Sequence, residues 1–221
     1  MNTRHGDKMQ AMVRAKLEEI GFTRSLHPDQ LEVLGLTAAQ IKAGERPLIR
    51  MPTGGGKTIL AAAMFAINLD RTKDKTPPGK ALFVVDRKTI TKQALRSIKR
   101  SLGNTLGAEI VRLDGKRPNW DAQIIIATRQ TIEQPRTLEE LEAQEFPFMI
   151  AAEAHRCGSP SYIAVMDAAM KNSPGVRVVG LSATPARTDG KPLYPFTCHV
   201  SGPTLTQMIA LSRLCPPRIL A

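Results

Sequence analysis

Six short apolar runs recur along the chain with stretches of helical length between them: PLIRM (47–51), ALFVV (81–85), AEIVRL (108–113), QIIIA (123–127), FMIAA (148–152) and VRVVGL (176–181). Runs of this length, rich in Ile and Val and apolar on both faces, predict strands of a parallel sheet covered on each side. Residues 57–69, 88–101, 137–145 and 160–172 read as the intervening helices. Two more helices, 7–20 and 28–43, precede the first strand, the second opened by Pro28 at a first-turn position where its missing N–H is no loss. Alternation of β and α at this spacing predicts an open α/β domain, mostly parallel, with helices on both faces.

The helices differ in how they distribute polarity. KTILAAAMFAINL (57–69) is apolar nearly all round, as a helix buried against a sheet would be. In 88–100, Ile90, Ala94 and Ile98 form one stripe and Lys88, Lys92, Arg96 and Lys99 another, so one face can pack while the other meets solvent or phosphate. The segment MVRAKLEEI near the N-terminus reads as packing, DKTPPGK (74–80) as a loop, and TLEELEAQE (137–145) as a solvated acidic helix. GPTLTQMIALSRLCPPRILA reads as one helix, then Pro-Pro and a strand-like start.

Composition narrows the class. At 221 residues and 42% hydrophobic the chain can bury a substantial core. No apolar run reaches the roughly 20 residues of a membrane helix, and the N-terminal segment lacks the apolar core of a secretion signal, so a cytoplasmic protein is expected. Cys157, Cys198 and Cys215 are far apart without a CxxC spacing, which fits free thiols better than a zinc site. The formal charge is +11, and residues 71–100 hold ten lysines and arginines against Asp74 and Asp86. Such a concentration suits a polyanion such as nucleic acid, and equally a solvated helix face.

LIRMPTGGGKTILAAA sets a glycine-rich turn between the first strand and the buried helix. Gly54, Gly55 and Gly56 let successive backbone N–H groups, Thr53 to Thr58, curl around one anion at a helix N-terminus. Lys57 would reach the β/γ-phosphates and Thr58 would offer its hydroxyl to Mg²⁺. The strict pattern wants glycine at position 51, where this chain has methionine.

Further along stand AEAHR (152–156) and GLSATPARTDG (180–190). Together with PTGGGKT they resemble superfamily 2 DEAD/DEAH-box helicases and translocases, whose N-terminal RecA-like domain carries these motifs in this order. The likeness is greatest to the branch of phages, prophages and bacterial repair helicases. It extends to LHPDQ (26–30), VVDRKTITKQA (84–94), IIIATRQTI (124–132), HRCGSPSYIAVM and VSGPTLTQMIALSRLCPP. The resemblance implies a RecA-like P-loop fold, ATP and Mg²⁺ as cofactors, and nucleic acid, DNA by the branch, as partner in a bacterial or phage-infected cytoplasm. It makes Gln30 the residue that reads adenine, with His27 in place of the usual arginine. It assigns Arg87, Lys88, Lys92, Thr128 and Gln130 to the nucleic-acid strand, Glu153 to the attacking water, and His155 with Ser182 and Thr184 to coupling.

One position departs from that family: Ala152 stands where its metal-holding aspartate belongs. Loss of that carboxylate would hurt turnover more than binding. The resemblance divides the chain into an N-terminal helix (1–21), RecA-like domain 1 (22–215) and the start of a linker (216–221). It also implies a second RecA-like domain with an arginine finger, which this sequence does not contain. Two readings therefore stay open, a helicase motor domain impaired in hydrolysis and a silent module that binds nucleotide and nucleic acid. A small P-loop kinase would need a lid and phosphate-binding arginines in place of SATP.

Overall fold

The computed structural model describes residues 3–75, 79–102, 108–113, 119–184 and 192–216, without the side chains of 3–6, 88 and 89. Two helices, α1 (Thr3–Glu19) and α2 (Pro28–Lys42), lead into β1 (Pro47–Arg50) and α3 (Lys57–Thr72). The chain then alternates through β2 (Ala81–Val85), α4 (Lys88–Leu102), β3 (Ile110–Arg112) and β4 (Ile124–Thr128). The short α5 (Arg129–Ile132) and α6 (Pro135–Glu142) precede β5 (Phe148–Ala152), α7 (Pro160–Lys171) and β6 (Arg177–Ser182). It closes with β7 (Cys198–Ser201) and α8 (Leu205–Ala210).

The strands form one sheet in the order β3-β4-β2-β5-β6-β1-β7, parallel throughout. All six runs expected as strands lie in it. The period-2 alternation of side chains then sorts the core into two layers. Ala81, Phe83, Val85, Ile124 and Ile126 face α1–α4, whereas Leu82, Val84, Ile125 and Ala127 face the side of α6 and α7. Phe65 of α3 meets Phe83 and Phe148 edge to face, with centroids 5.6 and 5.9 Å apart, a geometry that contributes about 0.5–1.5 kcal/mol per pair beyond burial. Val13 and Leu17 of α1, and Ile20 just after it, are buried in this same layer.

The structure corrects the sequence reading at several places. β7 went unread because only Val200 is buried in it, so an edge strand with solvent on its outer side leaves no apolar run. α6 spans Pro135–Glu142 rather than 137–145, since Pro135 can start a helix two residues earlier. The chain then leaves the helix so that Phe146 can be fully buried before β5. The C-terminal helix is only Leu205–Ala210. The expected strand-like start after Pro216, and Pro185–Lys191 of the ATPARTDG stretch, lie outside the described residues.

Candidate functional site

Parallel strands end on one edge of the sheet, and ligands of open α/β sheets collect there. Register brings three motifs to that edge. Arg50 pairs with Ser182 and Ala152 with Leu181, and Met51 N–H donates to the Ser182 carbonyl at 2.9 Å. Since β6 lies between β5 and β1, the glycine turn, AEAH and SAT become neighbours.

The turn is built as the glycines dictate. Gly54 and Gly56 adopt φ of +83° and +91°, which side chains rarely tolerate. At Gly55 a Cβ would stand 2.4 Å from Met51 Cγ. Met51 is fully buried under the loop, and its bulk there requires glycine above it. α3 starts at Lys57, with Thr58 partly exposed in its first turn. The Lys57 ammonium donates to the carbonyls of Met51 at 3.1 Å and Pro52 at 3.3 Å. Burial pushes its pKa below the ordinary lysine value, and the negative charge of Glu153 opposes that shift.

Glu153 itself has φ +52° and ψ +45°, a left-handed backbone that costs a non-glycine residue of order 1 kcal/mol or more and clusters at functional sites. Its carboxylate lies 3.4 Å from His155 Nδ1. The same ring nitrogen lies 3.2 Å from Ser182 Oγ, which in turn accepts from Thr184 N–H at 3.1 Å. Lys57, Glu153, His155, Ser182 and Thr184 thus form one connected group. Ala152 sits at its edge, half-buried, its carbonyl accepting from Tyr162 OH at 3.2 Å.

Beside the loop opens a cleft of about 700 Å³, lined by His27, Gln30, the three glycines, Ile59 and residues of the C-terminal segment. Gln30 is buried and links His27 to Gly55 through its side-chain amide. Sequence reasoning missed the cleft's other wall. Met208, Ser212 and Arg213 line it, Arg213 forms an ion pair with Asp29, and Leu214 packs over Gly54. Also missed was Asp86, buried at the end of β2 between Arg87 at 3.6 Å and Arg156 at 3.5 Å. No local pattern marks a single carboxylate that ties two motifs together.

The residues expected to meet a nucleic-acid strand fare differently. Arg87 and Gln130 are exposed, and Lys92 lies in a basic groove with Arg24, Arg96 and Arg100. The Lys88 side chain lies outside the described residues. Thr128 is 1% exposed, and its hydroxyl accepts from Thr131 N–H at 3.1 Å as the N-cap of α5. That hydroxyl is committed to the fold rather than free to contact a strand.

Fold and site together define a RecA-like domain of the superfamily 2 helicases. The chain belongs to the family described as type III restriction enzyme, res subunit, which matches residues 23–187. It is similar to a putative mitochondrial ATP-dependent helicase, irc3, of Schizosaccharomyces pombe, 28% identical over 78% of this chain and 28% of the relative. Among solved structures it resembles the Pyrococcus furiosus Hef helicase domain, with TM-score 0.57 and 25% identity over 70% of this chain and 33% of the other. The nuclease-deletion mutant of the Type ISP restriction-modification enzyme LlaGI, in complex with a DNA substrate mimic, shares the fold with TM-score 0.63 and 20% identity, over 86% of this chain and 21% of the other. This chain thus spans less than a third of the curated relatives it matches.

Proposed function

We propose that this chain is the nucleotide-binding motor domain of an ATP-dependent DNA helicase or translocase, able to bind ATP and slow to hydrolyse it. The observation that carries the reading is the Lys57 ammonium held at 3.1 Å on the Met51 carbonyl, inside the curl of Gly54–Gly56 and under the charge of Glu153. A triphosphate would take that ammonium from the loop carbonyls and receive the loop N–H groups in exchange. Gln30 retains one amide hydrogen and one lone pair for the base.

Mg²⁺ fits as a companion of the phosphates. Among the described residues no group of three or more His, Cys, Asp or Glu could hold a metal, and magnesium characteristically binds through phosphate oxygens, water and few protein ligands. Thr58 would add its hydroxyl; when bound, the ion neutralises charge that develops on the transferred phosphoryl group. With alanine at 152, nothing anchors it from β5. Glu153 would orient the attacking water, and His155 would pass the state of the site to Ser182 and Thr184.

The irc3 and Hel308 relatives are named as ATP-dependent helicases, and LlaGI was solved with a DNA substrate mimic, which supports DNA as partner. Arg87, Lys88, Lys92 and Gln130 would meet its backbone, giving salt-sensitive and largely sequence-independent binding. A second RecA-like domain, in cis or in trans, would supply the arginine finger, worth roughly 10³–10⁵ in rate in related phosphoryl transfers. No helix among the described residues is long and apolar enough to cross a membrane.

Ala152 favours a second reading, a silent module that holds nucleotide and strand without turnover. Calorimetric titration with MgATP and with ADP tests what both share, and steady-state phosphate release with a single-stranded oligonucleotide separates them. Measurable DNA-stimulated turnover, by this chain or by Ala152→Asp with a second RecA-like domain added in trans, selects the motor, and binding with no turnover in either case selects the module. Absence of any nucleotide heat overturns both.

A further inference from the structure

At the opposite edge of the sheet from the phosphate loop, α1, α2 and α3 enclose a cleft of about 630 Å³. Its floor is formed where β5 and β6 begin, at Phe148 and Arg177. The walls are apolar, with Met9, Val13, Leu34, Ile41, Met64 and Ile67 among the lining residues, and the volume is in the range of small-molecule sites.

One end of this trough is polar and positive. The Arg177 guanidinium lies 5.7 Å over the Phe148 ring. It is fixed by bonds from Nε to the Pro147 carbonyl at 3.2 Å and from its terminal nitrogen to Asn68 Oδ1 at 2.8 Å. Asn68 is 2% exposed, and among the described residues its Nδ2 finds no hydrogen-bond partner. A buried amide donor left unanswered costs about 1–3 kcal/mol, which an ordered water would relieve. Burial of Arg177 lowers its pKa, and the charge of the exposed Arg71, one turn beyond Asn68 along α3, lowers it further. Lys16 and Lys42 also line the cleft, and among the described residues no carboxylate does. Lys16 is already paired with Glu19 and Asp70, and Asp70 also pairs with Lys73.

We propose that this cleft is a second ligand site, taking a small amphipathic carboxylate with its apolar body between α1, α2 and α3 and its head group on Arg71 and on Arg177, which Asn68 holds in place. A planar carboxylate matches the forked donors of a fixed guanidinium. A nucleic-acid backbone would answer the charge and leave the apolar walls in water. The site is independent of the nucleotide reading, because it shares no residue with the loop cleft.

Methionine methyls make the test local. Met9, Met12 and Met64 line the proposed site, whereas Met51 and Met208 report on the nucleotide cleft. With methyl-¹³C-methionine in the chain, titration with 4-phenylbutyrate is expected to shift Met9, Met12 and Met64 saturably and leave Met51 and Met208 in place. The matched 4-phenylbutylamine and 4-phenylbutan-1-ol should bind at least ~10-fold more weakly, and Arg177→Met or the surface variant Arg71→Met should weaken the carboxylate by ~10-fold or more. The proposal is overturned if the alcohol or amine binds as well as the acid, or if Arg71→Met and Arg177→Met both retain full affinity. Shifts spread evenly over all methionines would also overturn it. So would an oligonucleotide that moves the three reporters when the carboxylate does not.

Discussion

Gln30 Nε2 donates to the Gly55 carbonyl at 3.0 Å, joining the first turn of α2 to the crown of the glycine loop. Its Oε1 accepts from His27 N–H, also at 3.0 Å. One buried side chain therefore caps a helix and braces the loop at once, so a base that engaged this amide would reach the phosphate cradle through a single residue. Gln30→Ala leaves the Gly55 carbonyl and the His27 N–H unanswered, and is expected to cost about 1–3 kcal/mol in stability. Nucleotide affinity should fall by ~10-fold, measured by urea melts and by titration with a fluorescent ATP analogue. Wild-type affinity in Gln30→Ala would remove Gln30 from the site.

Restoring a carboxylate at position 152 should change the metal dependence more than the nucleotide affinity. In Ala152→Asp the Mg²⁺ concentration for half-maximal ATP binding is expected to drop by ~10-fold, while ADP affinity in EDTA stays within about twofold, since only the metal gains an anchor. Calorimetry across a magnesium series reads both. Identical magnesium curves for the two proteins would count against position 152 as the weak point.

Lys57 makes a signed prediction about alkaline pH. Burial lowers its folded pKa below the 10.5 of an ordinary lysine, so between the lowered value and 10.5 the unfolded chain holds more protons than the folded one. Stability contributed by this residue rises with pH through that window. Lys57→Met should be more stable than wild type at neutral pH, and the difference should shrink as pH approaches 10.5. The same variant should bind ATP at least ~100-fold more weakly. Paired thermal melts at stepped pH provide the check; a gap that widens with pH would contradict the burial of this ammonium.

The thiols should report the cleft. Cys157 is fully buried, and burial pushes its pKa up to about 12, so it should stay unmodified until the chain unfolds. Cys215 is exposed and follows Leu214, which packs over Gly54. A thiol reagent should modify Cys215 first, and saturating MgATP should change that rate severalfold. A Cys215 rate indifferent to nucleotide would mean that the C-terminal segment does not follow the state of the loop.

Much of this architecture is written in local pattern. Ile124, Ile125 and Ile126 are all buried, pointing alternately to opposite layers, and an unbroken apolar run of this length already demands cover on both faces. Gly54 and Gly56 announced the turn because few other residues hold those φ values. Where the pattern was faint the reading failed. β7 offers one buried side chain, and α5 is a four-residue helix hidden behind the cap of Thr128.

By itself, then, the sequence determined the strands, the glycine loop and the chemical types gathered near it, because each follows from neighbours a few residues apart. Only the tertiary structure decided that Arg213 would pair with Asp29, that Met51 would fill the space under Gly55, and that Arg177 would meet Asn68 above Phe148. Those meetings depend on strand order and register, which bring together residues whose separation along the chain carries no periodic signal.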